Sequence, residues 1–124
     1  MNTVEKAMHY VKLVDSCYLN VYPDSGNITN AAVSYGTDVL DDLKSGAGHL
    51  AAVHLKETVP GKFREIPYGT GHVNFEEIVH TSWELGVRRY VTEFWYTGNP
   101  EWKKDLDFAR GMMGALLDQE SRRA

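Results

Sequence analysis

The sequence predicts an α/β fold in which one helix is followed by three βα units and the strands form a parallel sheet. Three short apolar runs alternate with segments whose apolar residues recur every three to four positions, a pattern typical of parallel strands joined by right-handed crossovers. Each of the three runs ends on a polar side chain. The chain has 124 residues, of which 43% are hydrophobic and 24% charged, so we expect a single domain over 1–124.

The first half of the chain predicts two helices and two strands. Apolar residues at helical spacing, with Asn2 and Glu5 in the form of a capping box, indicate the first helix. Residues that favour β-structure precede Pro23, which stops the first strand, and Gly46 and Gly48 end the second helix. The predicted elements are a helix over 2–15, a strand over 18–22, a polar loop over 24–36, a helix over 38–44 and a strand over 50–56.

The second half predicts a long loop, two helices and one strand. Two prolines and three glycines indicate that residues 57–73 form a loop. A loop of this length is usually functional or disordered, and its basic and aromatic residues favour a functional one. Asn74 caps the next helix, Gly86 stops it, and the run 99–101 (NPE) starts the last one. The predicted elements are a helix over 74–85, a strand over 88–92, a loop over 95–99 and a helix from 99 to about 119 with a buried stripe of Trp102, Leu106, Ala109, Met113 and Leu116.

Composition and charge exclude several function classes. The net charge of −4 and the pI of about 5.7 argue against nucleic-acid binding. No apolar run approaches the ~20 residues that a membrane span needs, and we expect no signal peptide at the start of the chain. The single Cys17 fits a reducing compartment and is expected to be a small core residue. We therefore expect a cytoplasmic protein.

One metal-capable side chain follows each predicted strand: Asp24, His54 and Glu93. Their separations are 30 and 39 residues, about one βα unit each. The carboxyl ends of parallel strands meet at one edge of the sheet, where α/β proteins place their active sites. Two carboxylates and an imidazole suit a divalent ion such as Mn²⁺, Co²⁺, Mg²⁺ or Zn²⁺. The pattern predicts a metal site formed by these three residues.

Each of the three residues also has an ordinary structural interpretation. Asp24 follows Pro23, and an aspartate there is most often a turn residue. A single histidine at a strand end is more often hydrogen-bonded than metal-bound. Glu93 stands between Thr92 and Phe94, and a carboxylate among apolar neighbours needs a partner or a raised pKa. Only the joint pattern of strand, ligand type and spacing favours the metal site.

The long loop and the third strand end carry candidate substrate-binding residues. The run 69–71 (GTG) brings backbone amides close together, and Lys56, Lys62 or Arg64 adds positive charge, which would suit an anion. A tight turn before the helix cap explains the same glycines. Trp95, in the aromatic run after the third strand, either walls a pocket or packs. Arg64, Lys56 and Trp95 are the candidates for contact with substrate.

Four segments carry a resemblance to a known family. They are 21–27 (VYPDSGN), 54–58 (HLKET), 60–71 (PGKFREIPYGTG) and 92–95 (TEFW). They are similar to the C-terminal part of the L-xylulose-5-phosphate 3-epimerases, also called L-ribulose-5-phosphate 3-epimerases or hexulose-6-phosphate isomerases. The resemblance covers essentially the whole chain. That family belongs to the xylose-isomerase-like TIM barrels.

The resemblance implies a fold, a cofactor and residue roles. The fold would be the C-terminal half of a xylose-isomerase-like TIM barrel, because a complete barrel takes about 250 residues. Asp24, His54 and Glu93 match three of the family's four metal ligands, and Glu93 also matches one of the two glutamates that move the proton. Arg64 matches the basic residue that contacts substrate oxygens. The implied reaction is metal-assisted epimerisation of a ketopentose phosphate at C3 through an enediolate.

The chain departs from the family pattern at three points. Thr70 stands where the family usually has an acid, and Asn74 stands where it has an aspartate. The family's first ligand, a glutamate on an earlier strand that is also the partner base, has no counterpart. We therefore expect a truncated chain whose activity alone is severely impaired, and open sheet edges predict that it forms a homo-oligomer.

Two non-catalytic functions compete with the epimerase. The first is a truncated fragment that binds a metal or an anion and self-associates. The second is a small sugar-phosphate binding module, which rests only on the glycines of 69–71.

Overall fold

Seven elements follow one another in the computed structural model, which describes residues 1–123. Three helices come first, and two strands then alternate with two further helices. The bounds are α1 Val4–Val14, α2 Ser25–Tyr35, α3 Val39–Lys44, β1 Val53–Leu55, α4 Phe75–Glu84, β2 Tyr90–Thr92 and α5 Trp102–Arg123. The predicted α/β class is confirmed.

The two strands form a parallel pair, with His54 opposite Val91. The two residues of β1 that flank His54 are completely buried, so this strand runs through the interior of the domain. The strands predicted over 50–56 and 88–92 are therefore present, but each keeps only three residues of regular pairing.

The segment predicted as the first strand joins this sheet only through two parallel bridges, Val21 with Leu50 and Asp24 with His54. Tyr18, at its start, is 95% exposed, whereas Val21 is buried. Residues that favour β-structure do not make a strand where no neighbour packs against them. The bridges nevertheless place Asp24 beside His54 at the carboxyl edge of the sheet.

The prediction of a polar loop over 24–36 is wrong, because most of this segment is helix α2. Asp24 caps the helix, and the Asn27 N–H donates to its Oδ1 over 2.8 Å. Gly26 is buried against the residues that follow β1, where a Cβ would collide with Thr58. The helix therefore needs small residues at its contact with the sheet, which weakens the apolar stripe by which an amphipathic helix is recognised.

Helix α1 is present as predicted, but the expected Asn2–Glu5 capping box does not form. The cap is Thr3, whose Oγ1 accepts the Lys6 N–H over 3.1 Å. The carboxylate of Asp42, from α3, accepts the N–H groups of the first two helical residues. A partner distant in sequence thus satisfies amides that a local box was expected to satisfy.

Helices α3 and α4 begin and end close to their predicted positions. Asp38 caps α3 and accepts two backbone N–H groups through Oδ1. Asn74 caps α4 and accepts the Glu77 N–H over 3.2 Å. Gly86 follows α4 with a φ of 89°, a left-handed conformation that glycine adopts without strain.

Helix α5 is longer, and more exposed at its start, than the sequence predicts. It ends at Arg123 rather than near 119. Ala109 and Met113 of the predicted stripe are buried, whereas Trp102 is 39% exposed. The prediction that Trp102 is buried is wrong, because the first turn of α5 lies outside the apolar core.

The interior consists of two apolar clusters, one built mainly from β1, α4 and α5 residues and the other mainly from α1, α2 and α3 residues. The first cluster comprises Val53, Leu55, Tyr68, Phe75, Val79, Val87, Ala109 and Met113. The second comprises Val4, Met8, Val11, Val21, Ile28, Leu43 and Ile78.

Cys17 belongs to neither cluster. Its side chain is exposed, so the expectation that it is a core residue is wrong.

Candidate metal centre

Asp24, His54 and Glu93 lie together at the carboxyl edge of the parallel strands. One nitrogen or oxygen atom from each lies within 4.8 Å of the other two. The Nδ1 of His54 is 3.5 Å from the Oε2 of Glu93. The structure therefore brings together the three residues whose spacing predicted a shared site, and their role as metal ligands stays a prediction.

The Asp24 carboxylate has one satisfied oxygen and one unsatisfied one. Its Oδ1 caps α2, as described above. Its Oδ2 is buried and has no hydrogen-bond partner within residues 1–123. The Lys56 ammonium lies 3.3 Å from this oxygen without donating a hydrogen bond to it, and a buried carboxylate oxygen that accepts no hydrogen bond is rare. Such an oxygen suits a group that the site is built to hold.

The His54 ring is oriented by an aromatic neighbour that the sequence did not single out. The Tyr22 ring stacks on it, with 4.1 Å between the ring centres and 21° between the planes. Tyr22 belongs to the segment that precedes Asp24, so one short stretch of chain supplies a candidate ligand and the residue that orients another.

Glu93 is held by a hydrogen bond from its own loop. The Trp95 Nε1–H donates to Oε1 of Glu93 over 2.8 Å. The Arg64 guanidinium lies over the same indole ring, 4.5 Å from its centre. Trp95 and Arg64, two of the three candidate substrate-binding residues, therefore stand next to the candidate metal ligands.

The third candidate, Lys56, is buried inside the cluster. Its Nζ lies 3.3 Å from Oδ2 of Asp24 and 3.8 Å from Oε1 of Glu93, and its side chain is 8% exposed. It also donates to the Oδ1 of Asn27 over 3.0 Å. All of these contacts are with other side chains of the protein.

The two carboxylates respond to these surroundings in opposite directions. Burial raises the pKa of Asp24 to about 6; the nearby Glu93 carboxylate adds to this rise, and the Asn27 N–H and the Lys56 charge oppose it. Burial also acts to raise the pKa of Glu93, but the Trp95 hydrogen bond, the contact with Asp24 and the Lys56 charge bring it below its usual value. Of the pair, Asp24 therefore retains a proton to the higher pH.

The long loop is organised around a buried carboxylate that sequence reasoning missed. Glu57 is 2% exposed, and its carboxylate accepts the backbone N–H groups of Thr58, Gly69 and Val73. The Thr70 N–H is also used internally, by the carbonyl of Pro67. These loop amides face inward, which argues against the interpretation of the glycines of 69–71 as an anion site. An acid directly before a long glycine-rich loop was the only available signal for this role.

The donor set fits a divalent metal ion. Two carboxylates and one imidazole are ligands that Mn²⁺, Co²⁺ and Zn²⁺ accept, and an ion with bonds of about 2.1 Å touches ligands up to about 4.2 Å apart. The candidate atoms, within 4.8 Å of one another, would need only a small rotation of the side chains. The Asp24 Oδ2 accepts no hydrogen bond although the Lys56 ammonium lies 3.3 Å away, and this is the observation that favours such an ion.

Comparison with known proteins identifies the family. The family profile described as xylose isomerase-like TIM barrel matches residues 1–112 of this chain. The chain belongs to this xylose isomerase-like TIM-barrel family. The predicted membership is confirmed, and the parallel pair of β1 and β2 with the surrounding helices is the part of such a barrel that the structure shows.

Two curated relatives carry the same name. Proteins called L-ribulose-5-phosphate 3-epimerase UlaE from Salmonella paratyphi A and from Escherichia coli O139:H28 are each 36% identical to this chain over 96 residues. The matched part is 77% of this chain and 32% of each relative. The chain therefore spans about a third of the length of the curated relatives it matches.

A solved structure supports the fold over the whole chain. The structure of L-ribulose 3-epimerase superimposes with a TM-score of 0.69, covering 99% of this chain and 44% of that one, at 17% sequence identity. At this identity the likeness concerns the fold alone. Among residues 1–123, none of the TIM-barrel helices combines the length and apolar character that a bilayer crossing requires.

Proposed function

We propose that this chain supplies the metal centre of a sugar-phosphate epimerase that inverts L-ribulose 5-phosphate or L-xylulose 5-phosphate at C3. The convergence of Asp24, His54 and Glu93, with an unsatisfied buried oxygen on Asp24, is the observation that carries the proposal. The relatives named L-ribulose-5-phosphate 3-epimerase support the substrate class.

Each residue of the site has its own role in the proposed reaction. Asp24, His54 and Glu93 would hold a divalent ion, whose contribution when bound is to polarise the carbonyl and neighbouring hydroxyl oxygens of the ketose. Glu93, kept ionised by Trp95 and its neighbours, accepts the proton from C3. Arg64, stacked on Trp95, presents its guanidinium N–H groups to oxygens of the substrate.

Inversion at C3 needs a second proton carrier on the opposite face of the carbon. Asp24, whose ligand atom lies within 4.8 Å of that of Glu93, is engaged by the cap of α2 and, in this proposal, by the ion. We propose that the second carboxylate lies outside these 124 residues, and a second copy of this chain is one source that can be tested. Turnover by a single copy is then expected to be severely impaired.

Self-association is part of the same proposal. Val21 pairs with the segment before β1, but the other edge of this stretch borders an open cleft of about 290 Å³. Tyr22 is 46% exposed and Val91 of β2 is 47% exposed. Open strand edges and exposed apolar side chains favour pairing with another chain. Size-exclusion chromatography with light scattering tests this, and a clean monomer at micromolar concentration would contradict it.

Metal binding is the first test of the proposed function. The purified chain, stripped with EDTA, is titrated with Mn²⁺ while the free ion is followed by electron paramagnetic resonance. We expect His54→Ala to weaken binding by at least tenfold, because it removes one of three ligands. His9→Ala, an exposed histidine of α1, is the matched control and should bind Mn²⁺ as the wild type does. Failure of the wild type to bind Mn²⁺ would overturn the metal centre.

Turnover is the second test. The chain is incubated with L-ribulose 5-phosphate and Mn²⁺, and formation of L-xylulose 5-phosphate is followed by nuclear magnetic resonance. We expect slow epimerisation that Glu93→Gln abolishes. Normal turnover by a monomer would refute the need for a second carboxylate. Metal binding without any turnover by an oligomer would favour the second candidate function, a non-catalytic metal-binding chain.

A further inference from the structure

Lys56 is the one cation in direct contact with both carboxylates of the candidate metal centre within residues 1–123. Its ammonium lies 3.3 Å from Asp24 Oδ2 and 3.8 Å from Glu93 Oε1. An ammonium group removed from water needs opposite charge nearby, and here two carboxylates supply it. Lys56 therefore balances part of the negative charge that a metal ion would also balance.

The contacts of Lys56 allow its side chain, but not its backbone, to move. The Lys56 N–H donates to Oγ of Ser25, and the Ser25 hydroxyl donates to the Lys56 carbonyl, over 2.9 and 3.0 Å. These bonds fix the main chain to the start of α2. The ammonium, in contrast, donates one hydrogen bond, to Oδ1 of Asn27 over 3.0 Å, and makes an ion pair rather than a hydrogen bond with Asp24. A flexible four-carbon stem permits the ammonium to withdraw while the backbone remains in place.

We propose that Lys56 is a built-in counterion that a divalent cation displaces from between Asp24 and Glu93, and that it thereby limits the affinity of the centre for metal. The inference rests on the proposed metal centre. A unit positive charge about 5 Å from a divalent ion weakens its binding roughly tenfold even with the screening of bulk water. Lys56 is accordingly a positioning residue of the carboxylates, and it differs in this from the substrate-binding role that the sequence suggested.

The test compares Mn²⁺ affinity in Lys56→Met and the wild type. We expect Lys56→Met to bind Mn²⁺ about tenfold more tightly, because the competing charge is gone while the volume of the side chain is nearly kept. Lys12→Met, which removes an exposed lysine of α1, is the control and should leave the affinity unchanged. Equal or weaker binding by Lys56→Met, with a wild type that binds Mn²⁺, overturns the counterion and leaves the metal centre standing. Absence of binding in both proteins overturns the two together.

A second measurement uses the wild type alone, so it holds if Lys56→Met fails to fold. The protein is acetylated briefly with acetic anhydride, with and without saturating Mn²⁺, and each lysine is quantified by mass spectrometry. We expect Lys56 to react slowly without Mn²⁺, since its side chain is 8% exposed, and several-fold faster with it. Lys12 serves as the internal reference. A labelling rate at Lys56 that Mn²⁺ leaves unchanged or lowers overturns the displacement.

Discussion

The indole N–H of Trp95 donates to the Oε1 of Glu93 over 2.8 Å, and the carboxylate that receives it lies beside the imidazole of His54. The same indole carries the Arg64 guanidinium on its face. One side chain therefore fixes the direction of a candidate metal ligand and the position of a candidate substrate cation.

Trp95→Phe separates these two roles, because phenylalanine keeps an aromatic face for Arg64 but has no N–H for Glu93. We expect Mn²⁺ affinity to fall about tenfold, since a hydrogen bond to a charged group contributes roughly 1.5 kcal/mol. Isothermal titration measures the change. Trp102→Phe, at the exposed start of α5, should have no effect. Unaltered affinity in Trp95→Phe would show that Glu93 needs no such orientation.

Metal binding should weaken in mild acid. Asp24, whose pKa burial raises to about 6, must lose its proton before it can bind an ion. Below pH 6, the affinity for Mn²⁺ is expected to fall about tenfold for each unit by which the pH drops, because binding must release one proton from Asp24. Titrations between pH 5 and 7.5 test the point. An affinity that is flat across this range would contradict the buried, proton-retaining Asp24.

Because its pKa is raised, the ionised carboxylate of Asp24 lowers the free energy of unfolding at neutral pH. The folded chain releases this proton at about pH 6 and the unfolded chain near 3.8, so the folded chain binds more protons between these values. The free energy of unfolding therefore falls as the pH rises through this window. We expect Asp24→Asn, which still caps α2, to be about 3 kcal/mol more stable than the wild type at pH 7.5 and to gain much less at pH 4. Urea unfolding at the two pH values measures this, and lower stability of the variant at pH 7.5 would refute it.

Glu57→Gln should loosen the long loop. The carboxylate of Glu57 accepts three backbone N–H groups, and replacing it with a neutral amide removes the charge and one acceptor oxygen. We expect a loss of about 2 kcal/mol in the free energy of unfolding and faster hydrogen exchange over 58–73. Glu65→Gln changes an exposed glutamate of the same loop and is the matched control. Equal exchange in the two variants would mean that the loop is held by other contacts.

Features with a local cause could be predicted from the sequence. Asn74 caps α4 and Gly86 ends it because each residue acts on backbone groups within one turn. The convergence of Asp24, His54 and Glu93 could also be predicted, since parallel strands present their carboxyl ends at one edge whatever the connecting helices contain.

Features that depend on contacts between distant segments could not be predicted. Helix α2 was missed because its buried residues are small and polar where it meets the sheet, so its pattern is that of a loop. The stacking of Tyr22 on His54 and the burial of Lys56 between carboxylates depend on how strand ends and α2 pack together. Residue type and spacing alone do not predict such contacts between distant segments.

The Glu57 carboxylate holds the inner part of the long loop but not its outer turn, residues 61–65. Its hydrogen bonds come from Thr58, Gly69 and Val73, whereas residues 61–65 are exposed and donate none to it. Side-chain changes at Lys62, Phe63 and Arg64 would leave the underlying architecture intact, whereas Gly61 has a φ of 77° that other residues adopt only under strain. A saturation library restricted to 62–64 is thus a starting point for altering the proposed sugar-phosphate preference while keeping the fold.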